Sequence, residues 1–442
     1  MKKIPFKKLL PAFLALLFLI SFIGCGGDPK QESPTEPPLD QAVQGGEPTE
    51  ATNAPLSYDP AEDFQNSFGT CAGSSIWENE EILLFSATGY NYFGYYDKAS
   101  GIHGVLCGKP ECMHDMNNLN DECSGYAENI ITHIGMMNGR ILFVAYDSSR
   151  NPSGFSLYSM KSDSTDRRKL LDLPEQDITG AIQQCYLHRG YLYMNANVYE
   201  VHSGEPIDNT RFSRLNVSTG EFELIFDDKY ESLYSGMCFI GNNVYMFRSS
   251  MTVDETISNV IKRFDSETGE LETVLESEEQ DFDRIMFRMW VDETENIYCT
   301  MMQTAGAAAV VYKVDGGRLK PIMDFADNEI LFNVAMLSDG IVSALGIPLD
   351  GMGDEDEAPE LMLWIRDFEG NTVYKGDFPS SFVRELGMDE FIYSDIQGDA
   401  AEFYIQFYGD EDEQGVPDIC FVRFDIVSPS ELNGELVFRS GQ

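Results

Sequence analysis

Phe212-Ser213-Arg214-Leu215-Asn216-Val217-Ser218-Thr219-Gly220-Glu221 and Ile261-Lys262-Arg263-Phe264-Asp265-Ser266-Glu267-Thr268-Gly269-Glu270 carry one pattern. In each, an alternating strand runs into Asn or Asp, a short polar turn closes on Gly, and a second strand begins. Gly supplies the positive φ such a turn needs, and the Asn or Asp side chain bonds the turn backbone. Weaker copies occupy residues 94–101, 157–166, 311–319, 363–372 and 422–435. Ahead of each lies another alternating apolar segment, such as Ile141-Leu142-Phe143-Val144 or Val244-Tyr245-Met246-Phe247. The hydrophobic period is two, the signature of strands and not of helices.

Tyr96, Tyr158, Leu215, Phe264, Val314, Ile365 and Phe424 hold equivalent places in these copies, on average about 55 residues apart, room for four strands and their loops. A lone four-stranded sheet leaves both faces wet, whereas neighbours in a closed ring cover them for one another. The chain therefore predicts an all-β fold, a seven-bladed β-propeller of four-stranded blades over 61–442, with six or eight blades or a β-sandwich pair as alternatives. No Trp-Asp dipeptide or double glycine recurs to assign a named repeat.

The N-terminus reads differently. Lys2, Lys3, Lys7 and Lys8 precede an apolar run from Leu9 to Phe22, too short to span a bilayer and suited to a signal peptide over 1–24. Residues 25–60 are rich in Pro, Gly and Glu, with little to bury, and read as a disordered acidic tether. Phe22-Ile23-Gly24-Cys25 resembles a bacterial lipobox, although Phe stands where Leu is usual. Lipobox, tether and repeats together resemble the bacterial surface lipoproteins with TolB-like or YWTD-like propellers. The resemblance implies a diacylglyceryl group on Cys25, further acylation of the palmitate type, and a home on the extracytoplasmic face of the cell membrane. It implies no activity.

The formal charge of -44 over 442 residues repels nucleic acid and favours cations, basic peptides and solubility. No HExxH, P-loop, dinucleotide-binding glycine motif or nucleophile elbow is present, and no catalytic residue is assigned. The long connections fall between the second and third strands of the blades, with 107–129 after blade 1, and are expected on one face, where binding loops gather. A non-enzymatic binding or scaffold module for an envelope protein, peptide or glycan is expected. A glycan-active hydrolase or lyase using loop carboxylates is the alternative, and a solute-binding lipoprotein a weaker third.

Two clusters could hold cations. Cys107, Cys112, His114 and Cys123 form C-x4-C-x-H-x8-C, a donor set suited to a closed zinc site but spaced like no standard finger. In an oxidising compartment a disulfide among the three cysteines is the competing reading. Asp350, Asp354 and Asp356 in one loop and Asp410 and Asp412 in another suggest weak calcium binding. Asp410-x-Asp412-x-Gln414-Gly415 resembles the start of a calcium loop, but Phe421 replaces its closing Glu, so a solvated acidic loop is the plainer reading. Cys71, Cys185, Cys238, Cys299 and Cys420 lie among apolar strand residues and read as buried thiols.

Overall fold

The computed structural model describes residues 57–59, 62–63, 75–87, 90–109, 111–114, 120, 122–127, 130, 134–149, 153–173, 181–202, 205–229, 234–251, 257–277, 284–303, 309–324, 331–337, 339–346, 361–388, 391–411 and 417–440. Residues 1–24, Cys25, Cys71, Asp350, Asp354, Asp356 and Asp412 lie outside the described residues.

Blade 1 is β1 (Ser75–Glu78), β2 (Ile82–Ala87), β3 (Tyr90–Asp97) and β4 (Ile102–Val105). Blade 2 is β5 (Gly135–Met137), β6 (Arg140–Asp147), β7 (Gly154–Lys161) and β8 (Arg168–Asp172). Blade 3 is β9 (Ala181–His188), β10 (Tyr191–His202), β11 (Glu205–Asn216) and β12 (Phe222–Lys229). Blade 4 is β13 (Ser235–Ile240), β14 (Asn243–Met251), β15 (Ile257–Asp265) and β16 (Leu271–Ser277). Blade 5 is β17 (Arg284–Val291), β18 (Ile297–Gln303), β19 (Ala309–Asp315) and β20 (Arg318–Asp324). Blade 6 is β21 (Leu331–Met336), β22 (Gly340–Gly346), β23 (Leu361–Asp367) and β24 (Thr372–Asp377). A short helix, α1 (Ser380–Glu385), leads into blade 7: β25 (Ile392–Gly398), β26 (Glu402–Glu411), β27 (Pro417–Ser428) and β28 (Glu431–Arg439).

The seven expected four-stranded blades are thus observed, each an antiparallel meander of consecutive strands. First strands of neighbouring blades touch, β13 with β17, β17 with β21 and β21 with β25, so they line the inside of the ring. Burial follows from this position. β6, a second strand, is almost wholly buried, whereas the outer strand β8 is mostly exposed. Strands covered on both faces lose their apolar–polar alternation, and outer ones keep it.

The turn that decided the fold recurs in three dimensions. Asp97, Asn216 and Asp265 each accept two backbone N–H bonds at 2.8–3.0 Å through Oδ1. Gly101, Gly220 and Gly269 close these turns at φ of 69°, 73° and 74°. Beyond the turn a β-bulge separates the third and fourth strands. It falls at Leu157/Tyr158, Phe212/Ser213, Ile261/Lys262, Val311/Tyr312 and Phe421/Val422, the same rung in five blades, and at Ile365/Arg366 in blade 6. A bulge adds twist, which lets the outer strand of a blade splay from its inner neighbour.

Among the described residues no strand of one end is borrowed by the other, and side-chain packing and hydrogen bonds join blade 7 to blade 1. Phe85 of blade 1 lies 4.9 Å from Phe421 and 4.7 Å from Phe438 of blade 7, centroid to centroid. Leu83, Tyr92, Tyr404, Ile419 and Val437 fill the same seam. Tyr404 donates to Glu78 at 2.9 Å, and Tyr96 donates to Glu435.

A segment ahead of blade 1 docks on the opposite side of the ring. Asp63 is buried and accepts from His188 Nε2 at 2.8 Å, from Arg189 Nε and Nη2 at 3.0 Å, from the Gly241 N–H at 2.8 Å and from the Asp59 N–H at 2.9 Å. His188 ends β9, and Arg189 and Gly241 lie in the turns joining first to second strands in blades 3 and 4. Burial pushes the Asp63 carboxyl up, but these bonds outweigh it and hold it below the usual carboxylate range. Burial lowers His188 against the pull of Asp63, and the nearby Arg189 charge adds to the lowering.

Candidate metal centre

Blade 1 departs from the bulge pattern at the rung where five other blades carry it. Phe93 corresponds to Phe212 when Asp97 is aligned with Asn216. Leu106 donates its N–H to the Phe93 carbonyl at 2.7 Å, and Phe93 donates its own N–H to the Gly125 carbonyl at 2.9 Å. Tyr126 then bridges to Tyr92, and Ala127 donates to Asn91 at 2.9 Å. The outer strand therefore stops at Leu106 and resumes at Gly125, with residues 107–124 inserted where other blades carry one extra residue. The neck is tight: a Cβ on Gly125 would lie 2.4 Å from the Leu106 carbonyl oxygen.

All four expected ligands sit in this insert. One ligand atom from each of Cys107, Cys112, His114 and Cys123 lies within 4.8 Å of the other three. The three cysteines are free thiols. Cys107 and Cys123 stand at the two ends of the neck, and Cys112 and His114 fold back to meet them. Local turns produce the fold-back: the Cys112 N–H donates to the Lys109 carbonyl at 3.1 Å, and the Cys123 N–H to the Asn120 carbonyl at 3.0 Å.

Around the sulfurs lies a shell of donors. Asn120 Nδ2 reaches Cys112 Sγ at 3.2 Å, and Ser124 Oγ reaches Cys107 Sγ at 3.7 Å. Ser164 of the β7–β8 turn accepts from the Gly108 N–H at 2.9 Å and from Ser124 Oγ at 3.1 Å. The His114 ring meets Tyr92 edge-on at 5.8 Å, and its Nε2 is buried without a hydrogen-bond partner.

The thiols are unequal. Burial raises Cys107, but His114, the Lys109 backbone, Ser124 and Cys123 outweigh it and bring the thiol down to about 6. Burial, with Cys107 and Cys112 alongside, pushes Cys123 up to about 12. Cys107 is thus the thiol most inclined to ionise of the two whose shifts are stated, and a cation placed among the four groups would favour thiolates.

The site is not on the face expected for it. The insert leaves from the outer edge of blade 1 and its neck rests on a third-to-fourth-strand turn of blade 2, away from the second-to-third-strand hairpins. The reason is the rung at which the strand is broken: residues 125–127 still have to pair with β3. Asp410 is exposed at the end of β26, and the remaining acidic-loop residues lie outside the described ones. Cys185, Cys238, Cys299 and Cys420 are buried, and burial pushes each thiol up. The Asp63 clamp was missed in the sequence, since a single Asp at the edge of an acidic tether carries no local signal.

No protein-family model matches the chain, and no curated protein matches its sequence. Solved structures do resemble it. A puromycin hydrolase is 13% identical with a TM-score of 0.53, the match covering 86% of this chain and 57% of that one. An oligogalacturonate lyase from Vibrio parahaemolyticus is 11% identical with a TM-score of 0.47, covering 83% and 92%. The propeller domain of the trilobed protease from Pyrococcus furiosus is 11% identical with a TM-score of 0.45, covering 83% and 98%. This chain is a β-propeller. It spans 57% of the puromycin hydrolase chain, and likeness at this identity concerns the fold.

Proposed function

We propose that this propeller is a lipid-anchored binding or scaffold module on the extracytoplasmic face of a bacterial cell membrane, with an envelope protein, peptide or glycan as its partner. The observation that supports this reading is the opposition between the Asp63 clamp and the longest hairpin. Asp63 ties the start of the folded domain to first-to-second-strand turns. The β10–β11 hairpin extends from the other face: β9 pairs with β10 only as far as Asn197, and β12 joins β11 only from Asn209. Beyond these points, among the described residues, Tyr199–His202 and Glu205–Asp208 pair with each other alone. The chain leading from Cys25 would join the folded domain at its clamped face, which leaves this overhang, on the other face, as the surface for a partner.

Photo-crosslinking in cells tests the reading. A crosslinker at Val201 or Glu205 should trap an envelope component, and one at Thr219 on the clamped face should not. Trapping from Thr219 with none from the hairpin would overturn it, and membrane retention of Cys25→Ser would refute the anchor.

The hydrolase or lyase alternative rests on the scaffold that puromycin hydrolase shares, and propellers carry both catalytic and binding proteins. Turnover of oligosaccharides by the purified protein, abolished by a single carboxylate substitution, would favour it.

A further inference from the structure

The geometry points to a structural zinc site at Cys107, Cys112, His114 and Cys123 that clips the blade 1 insert and buttresses the seam closing the ring. Three observations converge. First, four soft or imidazole donors meet around one point, all within 4.8 Å. A tetrahedral zinc with ~2.3 Å Zn–S and ~2.0 Å Zn–N bonds sets its ligand atoms about 3.5–3.8 Å apart. The groups need only draw in slightly. A disulfide would use two sulfurs and would leave the third thiol and the histidine unexplained.

Second, the surroundings are those of a metal thiolate. Asn120 and Ser124 donate to two of the sulfurs, the kind of outer contact that orients ligands. The unpartnered His114 Nε2 is a polar atom withdrawn from water, a state that costs free energy unless a partner is supplied.

Third, the ligands themselves reach the core: Cys123 is buried in it, and Cys107 and Cys112 pack against it, while Met113 between the ligands is 74% exposed. That core is the blade 7–blade 1 seam, with Tyr92, Phe421 and Phe438 in it. A clip at this edge restrains the blade 1 sheet, which bears one side of the closing seam.

Binding forms three Zn–S bonds and one Zn–N bond and releases the thiol protons to solvent, with no change of oxidation state. Four protein ligands leave no open position for substrate, which makes the site structural.

The full chain, purified without chelator, should carry about one zinc. Replacing zinc with Co2+ should give the d–d and sulfur-to-metal charge-transfer bands of a tetrahedral thiolate site. Cys112→Ser and His114→Ala should each lower retained metal at least tenfold after dialysis against a weak chelator. Full metal retention by both variants would overturn the proposal. So would a metal-free wild-type chain with a Cys–Cys crosslink within residues 107–123, a measurement that needs no variant to fold.

Discussion

Leu106 and Gly125 meet at Phe93 as if they were neighbours in one strand: Leu106 donates to the Phe93 carbonyl and Gly125 accepts from the Phe93 N–H, at 2.7 and 2.9 Å. The segment between them takes the place of a β-bulge in the strand order. Five other blades hold one extra residue at this rung, and blade 1 holds the four metal-type ligands.

The closeness of the neck makes Gly125 intolerant of a side chain. A Cβ there would sit 2.4 Å from the Leu106 oxygen, which is backbone and has no rotamer to yield. Gly125→Ala should cost about 1–3 kcal/mol, the range for overpacking, read as a lower urea midpoint at unchanged slope. An unchanged midpoint would mean that the neck is not closed.

Ring closure depends on Phe85, which is fully buried between Phe421 and Phe438. Phe85→Ala should cost about 3–5 kcal/mol and open the blade 1–blade 7 seam to hydrogen exchange before the other interfaces. Uniform loss of protection around the ring would argue that closure is not the weak point.

The clamp at Asp63 should behave as a lock on the incoming chain. Asp63→Ala removes the acceptor shared by His188, Arg189 and Gly241 and should cost about 3 kcal/mol, because buried donors then lack a partner. Limited proteolysis should cut between residues 59 and 63 in the variant and not in the parent. Equal cutting in both would show that the segment is not held.

The same cluster sets a pH dependence of definite sign. Burial depresses His188 in the folded state, so the unfolded chain binds the extra proton. This contribution is present above the ordinary histidine value of about 6.5 and is lost as pH falls below it. Asp63 is also depressed, so its contribution persists to lower pH and is lost once pH falls below about 4. Urea midpoints should fall from pH 7.5 to 5.5, and His188→Gln should flatten that decline. A rise on acidification would reverse the assignment of His188 as the neutral partner.

The blades were legible because each must solve the same turn and the same two-faced burial, which impose Asn or Asp and Gly at fixed offsets around Asn216 and Asp265. The four ligands were legible by composition. Their place was not, because 107–124 looks like a connection between blades until Gly125 is seen to resume pairing with β3. The burial of Asp63 was equally hidden, since its partners His188 and Gly241 belong to blades 3 and 4 and lie more than a hundred residues along the chain.

The most direct single measurement is the mass of the same purified full-length chain under native and acid-denaturing conditions. The account predicts a native species heavier than the acid-denatured one by one zinc atom less the protons it displaces. Equal masses, both lighter by two hydrogens than the same chain after reduction, would show a disulfide in place of the metal and contradict the account.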